Sequence, residues 1–396
     1  MEKHLNKVIV LLLLGLLFYS CQDQIIPENE INESPQLPSQ TFDYTSVMSK
    51  IEDARLPETL TILGQGNFPS GPVTFPGNSG CCDTFSGPEV RVENDDIATL
   101  GRVLFYDKKL SQNNSIACAS CHQQNKGFAD NEKLSEGFGG RKTIRNSMSI
   151  VNPIMSNSFF WDSRESSLVN LSLEPILNHI EMGMENTDIL KSKLSQEQYY
   201  EDLFTKAYGT DQITDQKIAD AMSQFVASIF TSESRFDAGL DREFSNLTPL
   251  ERHGMALFFS DKTQCSTCHA GFNFSAPDGV GNEYQQTSGT ANIGLDITYE
   301  DEGRNDGLFK IPSLRNIALT APYMHDGRFE NLREVLNHYN TGIKPHTDLD
   351  DKFIAGGSPI NMNLNDTELD ALEAFLNTLT STSLAVEEKW SNPFQY

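Results

Sequence analysis

Positive charge is scarce in this sequence. The chain has 396 residues, with 30 Lys and Arg against 55 Asp and Glu, which gives a formal net charge of −25. A protein that binds duplex nucleic acid must meet the phosphates with clustered cations, so nucleic-acid binding is excluded. The acidity suits a basic protein partner, although it is equally typical of a solvated surface.

A hydrophobic run long enough to cross a bilayer is also missing. The run from Val8 to Phe18 is shorter than the ~20 residues that a spanning helix needs. Because it follows Lys3 and Lys7, it is typical of a signal peptide instead. We therefore expect an exported protein with residues 1–20 as its signal peptide.

The end of this run indicates where the mature protein is located. Residues 17–21, Leu-Phe-Tyr-Ser-Cys, resemble a bacterial lipoprotein box, in which the cysteine becomes the lipidated first residue. The expected location is the periplasmic space, with a membrane anchor on Cys21 and residues 21–47 as a flexible tether. The alternative is an ordinary signal peptide in which Cys21 has no role.

Long segments of alternating polar and apolar residues are absent, which argues against a large sheet. Helical patterns occur instead, with starts predicted at Asp95 or Asp96, Asp215, Thr248 and Asn365. The helix from Asp215 is predicted to reach Phe230. The expected fold class is all-α.

Cysteine and histidine are scarce, at 7 and 8 residues, yet they form the same motif twice. Cys-x-x-Cys-His occurs at 118–122 and at 265–269. In this motif the cysteines attach a c-type haem through thioethers, and the histidine binds its iron. Zinc would need four ligands at each site, and no second Cys/His pair lies near either motif. A redox Cys-x-x-Cys would not explain the histidine. The prediction is two c-type haems, held by Cys118, Cys121, His122, Cys265, Cys268 and His269.

The segments before the two motifs also resemble each other. Gly-Arg-Val-Leu-Phe-Tyr at 101–106 corresponds to Gly-Met-Ala-Leu-Phe-Phe at 254–259, so the chain is predicted to contain two copies of one cytochrome c-like domain. The predicted divisions are 94–245 for the first domain and 246–396 for the second. Residues 48–93 form an N-terminal extension of unassigned role, and we assign no function to the Cys81-Cys82 pair within it.

Over residues 94–380 the chain resembles the bacterial di-haem cytochrome c peroxidases, including their MauG-like branch. The matching segments follow the order and spacing of that family: Arg-Asn-Ser at 145–147, Phe-Trp-Asp-Ser-Arg at 160–164, Glu-Met-Gly at 181–183, Pro-Ser-Leu-Arg-Asn at 312–316 and Thr-Ala-Pro-Tyr-Met-His-Asp-Gly at 320–327. The resemblance implies an enzyme that reduces hydrogen peroxide with electrons from a cytochrome c or a similar redox protein.

The resemblance also implies residue roles. His122 would hold the peroxidatic haem and His269 the electron-transfer haem, with Trp161 as an electron relay between them. Glu181 would lie on the open face of the first haem, where peroxide must lose one proton and gain another before its O–O bond breaks. A calcium ion would bind between the domains, to the Asn146 side chain and the backbone carbonyls of Thr320 and Pro322.

Two departures from the commonest family pattern affect the irons. No histidine lies between His122 and His179, so the resting first iron lacks the loop histidine that blocks it in many relatives. Tyr339 stands where typical peroxidases supply methionine to the second iron. A phenolate favours ferric iron, whereas methionine raises the potential. Met362 and His338 remain alternative ligands.

Three functions stay open from the sequence. The first is a di-haem peroxidase acting on hydrogen peroxide. The second is a MauG-like enzyme that oxidises side chains of a protein substrate. The third is a di-haem electron carrier without catalysis, against which Glu181 and the missing loop histidine argue. A homodimer is a further alternative that the sequence does not decide.

Overall fold

The computed structural model of the protein describes residues 34–53, 59–62, 71–74, 90–275 and 289–394. The described chain is mostly helical. In chain order the α-helices α1 to α12 are Val47–Asp53, Asp95–Tyr106, Cys118–Cys121, Leu168–Leu171, Glu174–Leu177, Thr187–Leu194, Gln198–Tyr208, Asp215–Ala227, Asp237–Leu240, Pro249–Phe258, Leu332–Asn337 and Asp366–Asn377. Short 3-10 turns lie at Lys108–Leu110, Gln124–Lys126, Phe138–Gly140, Pro153–Met155, Cys265–Thr267, Ile317–Leu319, Asp351–Phe353 and Glu388–Trp390, and one π-helical turn at His338–Gly342.

The strands are few and short. They form separate antiparallel pairs: β1 Thr59–Ile62 with β2 Gly71–Thr74, β3 Thr290–Ala291 with β4 Phe309–Lys310, and β5 Ile354–Ala355 with β6 Ser358–Pro359. In β1 and β2, Thr59 pairs with Thr74 and Ile62 with Gly71. The mostly helical architecture agrees with the all-α expectation.

The predicted helix ends are confirmed with two corrections. Helices start at Thr248 and Asn365, as predicted, and each of these residues caps its helix through a capping box. The cap of α2 is Asn94, whose side chain accepts from the backbone N–H of Asp96 and Ile97, because the two aspartates already lie in the first turn. The helix from Asp215 ends at Ala227, and not at Phe230.

The internal repeat is visible as two equivalent helix pairs. Helix α2 packs against α8 in the first half, and α10 packs against α12 in the second. Each pair crosses at a glycine, because a Cβ on Gly101 would overlap the carbonyl oxygen of Ala221, and one on Gly254 that of Ala371. The shared glycine is therefore a packing requirement of the helix crossing, met once in each half.

Both chain ends that the structure describes pack on the first half. Tyr44 is fully buried there, and its hydroxyl donates to the carbonyl of Lys389 at 2.9 Å. Tyr106 donates to the carbonyl of Trp390 at 2.6 Å, and Phe394 joins the same hydrophobic cluster. The second half has a cluster of its own around Phe236, Phe258 and Phe375.

The predicted boundaries of the two domains remain predictions, and this packing adds that residues 384–394 return to the first half. The predicted signal peptide, Cys21 and the Cys81-Cys82 pair lie outside the described residues. Within the residues that are described, no helix combines the length and the apolar character that crossing a membrane requires.

The helix crossing predicts a stability defect. Gly101→Ala should lower the free energy of unfolding by about 2 kcal/mol or more, because the new methyl group forces α2 away from α8. Gly342→Ala is the matched control, since its Cβ would come no closer than 3.5 Å to any neighbour. Guanidinium unfolding of the full chain measures both. Equal midpoints for the two variants would contradict the packing argument.

Candidate functional site

The first Cys-x-x-Cys-His motif forms a single helical turn. Cys118 and Cys121 bound α3 with free, half-buried thiols, and the backbone N–H of His122 donates to the carbonyl of Cys118 at 2.9 Å. Nδ1 of His122 lies 3.0 Å from the carbonyl oxygen of Phe128. Because a carbonyl only accepts, Nδ1 carries the proton and Nε2 keeps its lone pair. Burial lowers the pKa of His122, which keeps the imidazole neutral.

The second motif repeats this arrangement. The backbone N–H of His269 donates to the carbonyl of Cys265 at 2.9 Å, and Nδ1 donates to the carbonyl of Phe274 at 3.1 Å. Burial lowers the pKa of His269 to about 4. Each motif therefore presents a neutral imidazole with its Nε2 free to bind a metal.

The four thiols fit covalent attachment better than zinc. Burial raises the pKa of Cys118 to about 12 and that of Cys265 to about 11. Zinc needs four ligands, and among the described residues no further Cys or His completes either motif. Two thiols one turn apart beside a free Nε2 fit a c-type haem.

Glu181 faces the first motif. It follows α5, where Nδ2 of Asn178 donates to its Oε1 at 2.9 Å and the N–H of Phe138 donates to its carbonyl at 2.9 Å. Burial raises the pKa of this carboxyl, and the neighbouring Glu174 adds to the shift while Arg164 opposes it. Its charge in turn contributes to the raised pKa of Cys118 and Cys121, after the effect of burial. His179, two residues away, is exposed.

Trp161 links the two halves. Its indole Nε1 donates to the carbonyl of Asn146 at 2.9 Å, and its own carbonyl accepts from the N–H of Lys310 in β4 at 2.7 Å. The flanking Phe160 and Ser163 have φ of +63° and +52°, which non-glycine residues seldom adopt. The loop is therefore built to hold the indole in one place.

Arg145 was not predicted as a site residue, although it lies in the quoted Arg-Asn-Ser segment. Its guanidinium binds Asp162 of the tryptophan loop at 2.7 Å and Asp301 of the second half at 2.6 Å. The same segment joins the halves again, since the N–H of Asn146 donates to the carbonyl of His325 at 2.7 Å. Residues 145–147 thus contact the first motif, the tryptophan loop and the second half of the chain.

Tyr339 lies beside the second motif. It belongs to the π-helical turn His338–Gly342, a distortion that is frequent at functional sites, and its ring stacks on Phe353 at 5.8 Å. Burial raises its pKa, with smaller contributions from Cys268 and Cys265, so a phenolate here requires a cation close by. No described residue hydrogen-bonds to its hydroxyl. The hydroxyl therefore suits a haem iron.

The two alternative ligands are placed differently. Nε2 of His338 lies 3.0 Å from the carbonyl oxygen of Ile293, which engages the nitrogen that a metal would need. Met362 packs with Tyr339 and Phe353 in one apolar cluster, so its sulfur lies in the same region. The geometry favours Tyr339 over His338 and leaves Met362 as the rival.

The predicted calcium ligands are neighbours with free oxygens. Nδ2 of Asn146 donates to the carbonyl of Glu132 at 2.8 Å, which leaves Oδ1 available. Neither Oδ1 nor the carbonyls of Thr320 and Pro322 accept a hydrogen bond from any described residue. Asn131 bridges to the same segment by donating to the carbonyl of Ala321 at 2.6 Å. Three spare oxygens at one interface fit a hard cation.

A cluster of Asp306, His346 and Asp348 does not fit a metal. Nδ1 of His346 accepts from the N–H of Asp348 at 3.0 Å and from Nδ2 of Asn292 at 3.1 Å. Nε2 must then carry the proton, and it points to Asp306 at 3.4 Å. This nitrogen has no lone pair to offer, so the cluster is an ordinary hydrogen-bonded turn.

Comparison with known proteins agrees with this geometry. Residues 95–244 match the family model described as di-haem cytochrome c peroxidase. The chain is 33% identical over 299 residues to the cytochrome c551 peroxidase of Nitrosomonas europaea, covering 74% of this chain and 82% of that protein. It is 26% identical to the methylamine utilization protein MauG of Methylophilus methylotrophus, over 73% of this chain and 84% of that protein.

A solved structure extends the comparison to the fold. The crystal structure of a MauG-like protein associated with microbial copper homeostasis has a TM-score of 0.67 and 32% sequence identity to this chain. The match covers 78% of this chain and 96% of that one. A second structure, the diheme peroxidase BthA from Burkholderia thailandensis, shares the fold with a TM-score of 0.60.

Paired thiols, free imidazoles and these matches together define a haem-dependent oxidoreductase. The chain belongs to the di-haem cytochrome c peroxidase family, which confirms the resemblance that its motifs predicted. Membership implies two c-type haems. The family includes both cytochrome c peroxidases and MauG proteins, so the substrate must be argued from the site itself.

The placement of Tyr339 predicts a spectral change confined to one haem. Tyr339→Phe should alter the visible and magnetic resonance spectra of the second haem, because its iron loses the phenolate, and leave the first unchanged. Met362→Leu is the matched control and should match the wild type. A reversed pattern, with only the Met362 variant altered, would identify the thioether as the ligand.

Proposed function

We propose that the protein is a periplasmic di-haem peroxidase that reduces hydrogen peroxide to water with electrons from a cytochrome c or a similar redox protein. The observation that carries this proposal is the partly buried Glu181 near the first Cys-x-x-Cys-His motif. In this assignment His122 and His269 would bind the two haem irons, and Cys118, Cys121, Cys265 and Cys268 would attach the two haems.

The haem at the first motif, when bound, supplies an iron that takes up peroxide. Glu181 supplies the proton traffic, since one peroxide oxygen must lose a proton and the other must gain one for the O–O bond to break heterolytically. Its raised pKa brings the carboxyl closer to neutral pH, where it both accepts and returns a proton. Asn178 holds the carboxyl in place through its bond to Oε1. Two electrons and two protons then complete two waters.

Electrons are proposed to enter at the second motif and to pass Trp161. The indole-bearing residue is anchored on both sides, by Asn146 of the first half and Lys310 of the second, so it bridges the two halves through direct hydrogen bonds. The calcium ion, held by Asn146, Thr320 and Pro322, would stiffen this same junction. A lipid anchor at Cys21 remains part of the proposal for the full chain.

The second candidate is a MauG-like enzyme that oxidises side chains of a protein substrate. Tyr339 favours it, because a phenolate on the second iron would lower that haem's potential and stabilise its oxidised states. The similarity to MauG proteins also favours this second candidate. A catalytically inactive electron carrier fits poorly, since such a protein gains nothing from a buried carboxylate beside an open haem.

Removing the carboxylate tests the proposal. Glu181→Gln should lower peroxide turnover by about 10²–10⁴-fold, the usual contribution of general acid–base catalysis, while both haem spectra stay nearly unchanged. Glu185→Gln is the matched control, because Glu185 lies exposed on the same loop. The wild-type rate should fall as the pH drops through the raised pKa of Glu181. This decrease at low pH should be absent in Glu181→Gln. A loss below tenfold would assign the proton transfer to another group, such as His179.

The absence of a histidine between 122 and 179 predicts an active resting state. The fully oxidised protein should turn over peroxide at its full rate in the first cycle, without prior reduction, because no loop histidine has to leave the iron. Stopped-flow mixing with and without one added electron per chain compares the two conditions. A lag that disappears only after reduction would contradict the prediction.

A further inference from the structure

The two halves hold their histidines through the same set of bonds. Ser149 donates to the carbonyl of Gly127 at 2.6 Å, just before Phe128, and Ser313 donates to the carbonyl of Asn273 at 2.6 Å, just before Phe274. Asn152 and Asn316, three residues further on, both have left-handed backbones, with φ of +56° and +60°. Ser149 therefore corresponds to Ser313 within the repeat.

This correspondence identifies one chemical difference at the histidines. Two residues before each serine the first half has Ser147, and the second half has Ile311. Ile311 is buried, and its side chain has no atom that could accept a hydrogen bond from His269. Oγ of Ser147 lies 3.4 Å from Nδ1 of His122. Only the first imidazole therefore has a hydroxyl beside its N–H.

The orientation of that hydroxyl is fixed. Its proton goes to the carbonyl of Cys121 at 2.6 Å, so its lone pairs are left for the N–H of His122. That N–H already donates to Phe128 at 3.0 Å, and the hydroxyl makes a second, longer acceptor. Two acceptors polarise the N–H more than one does, which makes Nε2 a stronger electron donor to a metal.

We propose that Ser147 is a positioning residue that lowers the reduction potential of the first haem, and that the serine-to-isoleucine difference sets the two haems apart. The inference rests on the proposed function in one respect, that His122 is the axial ligand. A stronger donor stabilises the oxidised iron, which is the state that peroxide chemistry at this site demands. The second histidine, without the hydroxyl, stays a weaker donor.

Spectroelectrochemical titration of the complete protein tests this. Ser147→Ala should shift the potential of the first haem upward and leave that of the second in place. The iron–histidine stretching frequency of the ferrous first haem should fall at the same time. Ser147→Thr, which keeps a hydroxyl, should behave as the wild type.

Ser228→Ala is the matched control, since it also removes a hydroxyl bonded to a backbone carbonyl at 2.6 Å, that of Phe225, and Ser228 lies at the end of α8, outside both motif loops. Equal shifts in Ser147→Ala and Ser228→Ala, or a Thr variant that follows Ala, would overturn the proposal by showing a purely structural effect. No shift in any variant would overturn it as well. These readouts need no peroxide, so they stand apart from any failure of the Glu181 experiment.

Discussion

The rest of the structure depends on one hydrogen bond, made twice: the N–H of a buried imidazole donating to a backbone carbonyl, from His122 to Phe128 and from His269 to Phe274. Because Nδ1 is committed, the tautomer is fixed and Nε2 points away with its lone pair. The loop that carries each carbonyl is itself fastened by a serine, and each helix pair closes over its glycine. Each half of the fold therefore holds one histidine so that its Nε2 is free to bind a metal.

The two halves differ in the functional side chain that lies near each Cys-x-x-Cys-His motif. Glu181, a carboxyl whose pKa is raised by burial, lies near the first motif, and Tyr339, a tyrosine with a spare hydroxyl, lies beside the second. A carboxyl near the first motif suits a haem that reacts with substrate. A tyrosine near the second motif suits a haem that passes electrons. Arg145 and Asn146 hold the junction between them, through Asp301 and His325, so Trp161 lies where both halves meet.

The sequence predicted the features that side chains encode. The helix starts at Thr248 and Asn365, the paired glycines and the Cys-x-x-Cys-His motifs could all be read from the sequence, since each depends on a particular residue type at a particular spacing. The carbonyls of Phe128 and Phe274 were not, because any residue offers a carbonyl. The return of Trp390 and Phe394 to the first half was also missed, as a long-range contact leaves no local periodicity. Comparing the two halves position by position would have revealed Ser147.

The central claim is that the two haem sites are alike on the histidine side and different on the opposite side, with one open and one closed. Titration of the resting, fully oxidised protein with cyanide, which binds ferric haem at an open position, tests it most directly. If one site is open and the other closed, we expect one cyanide bound per chain, at the haem attached to Cys118 and Cys121. Two cyanides per chain, or none, would contradict it.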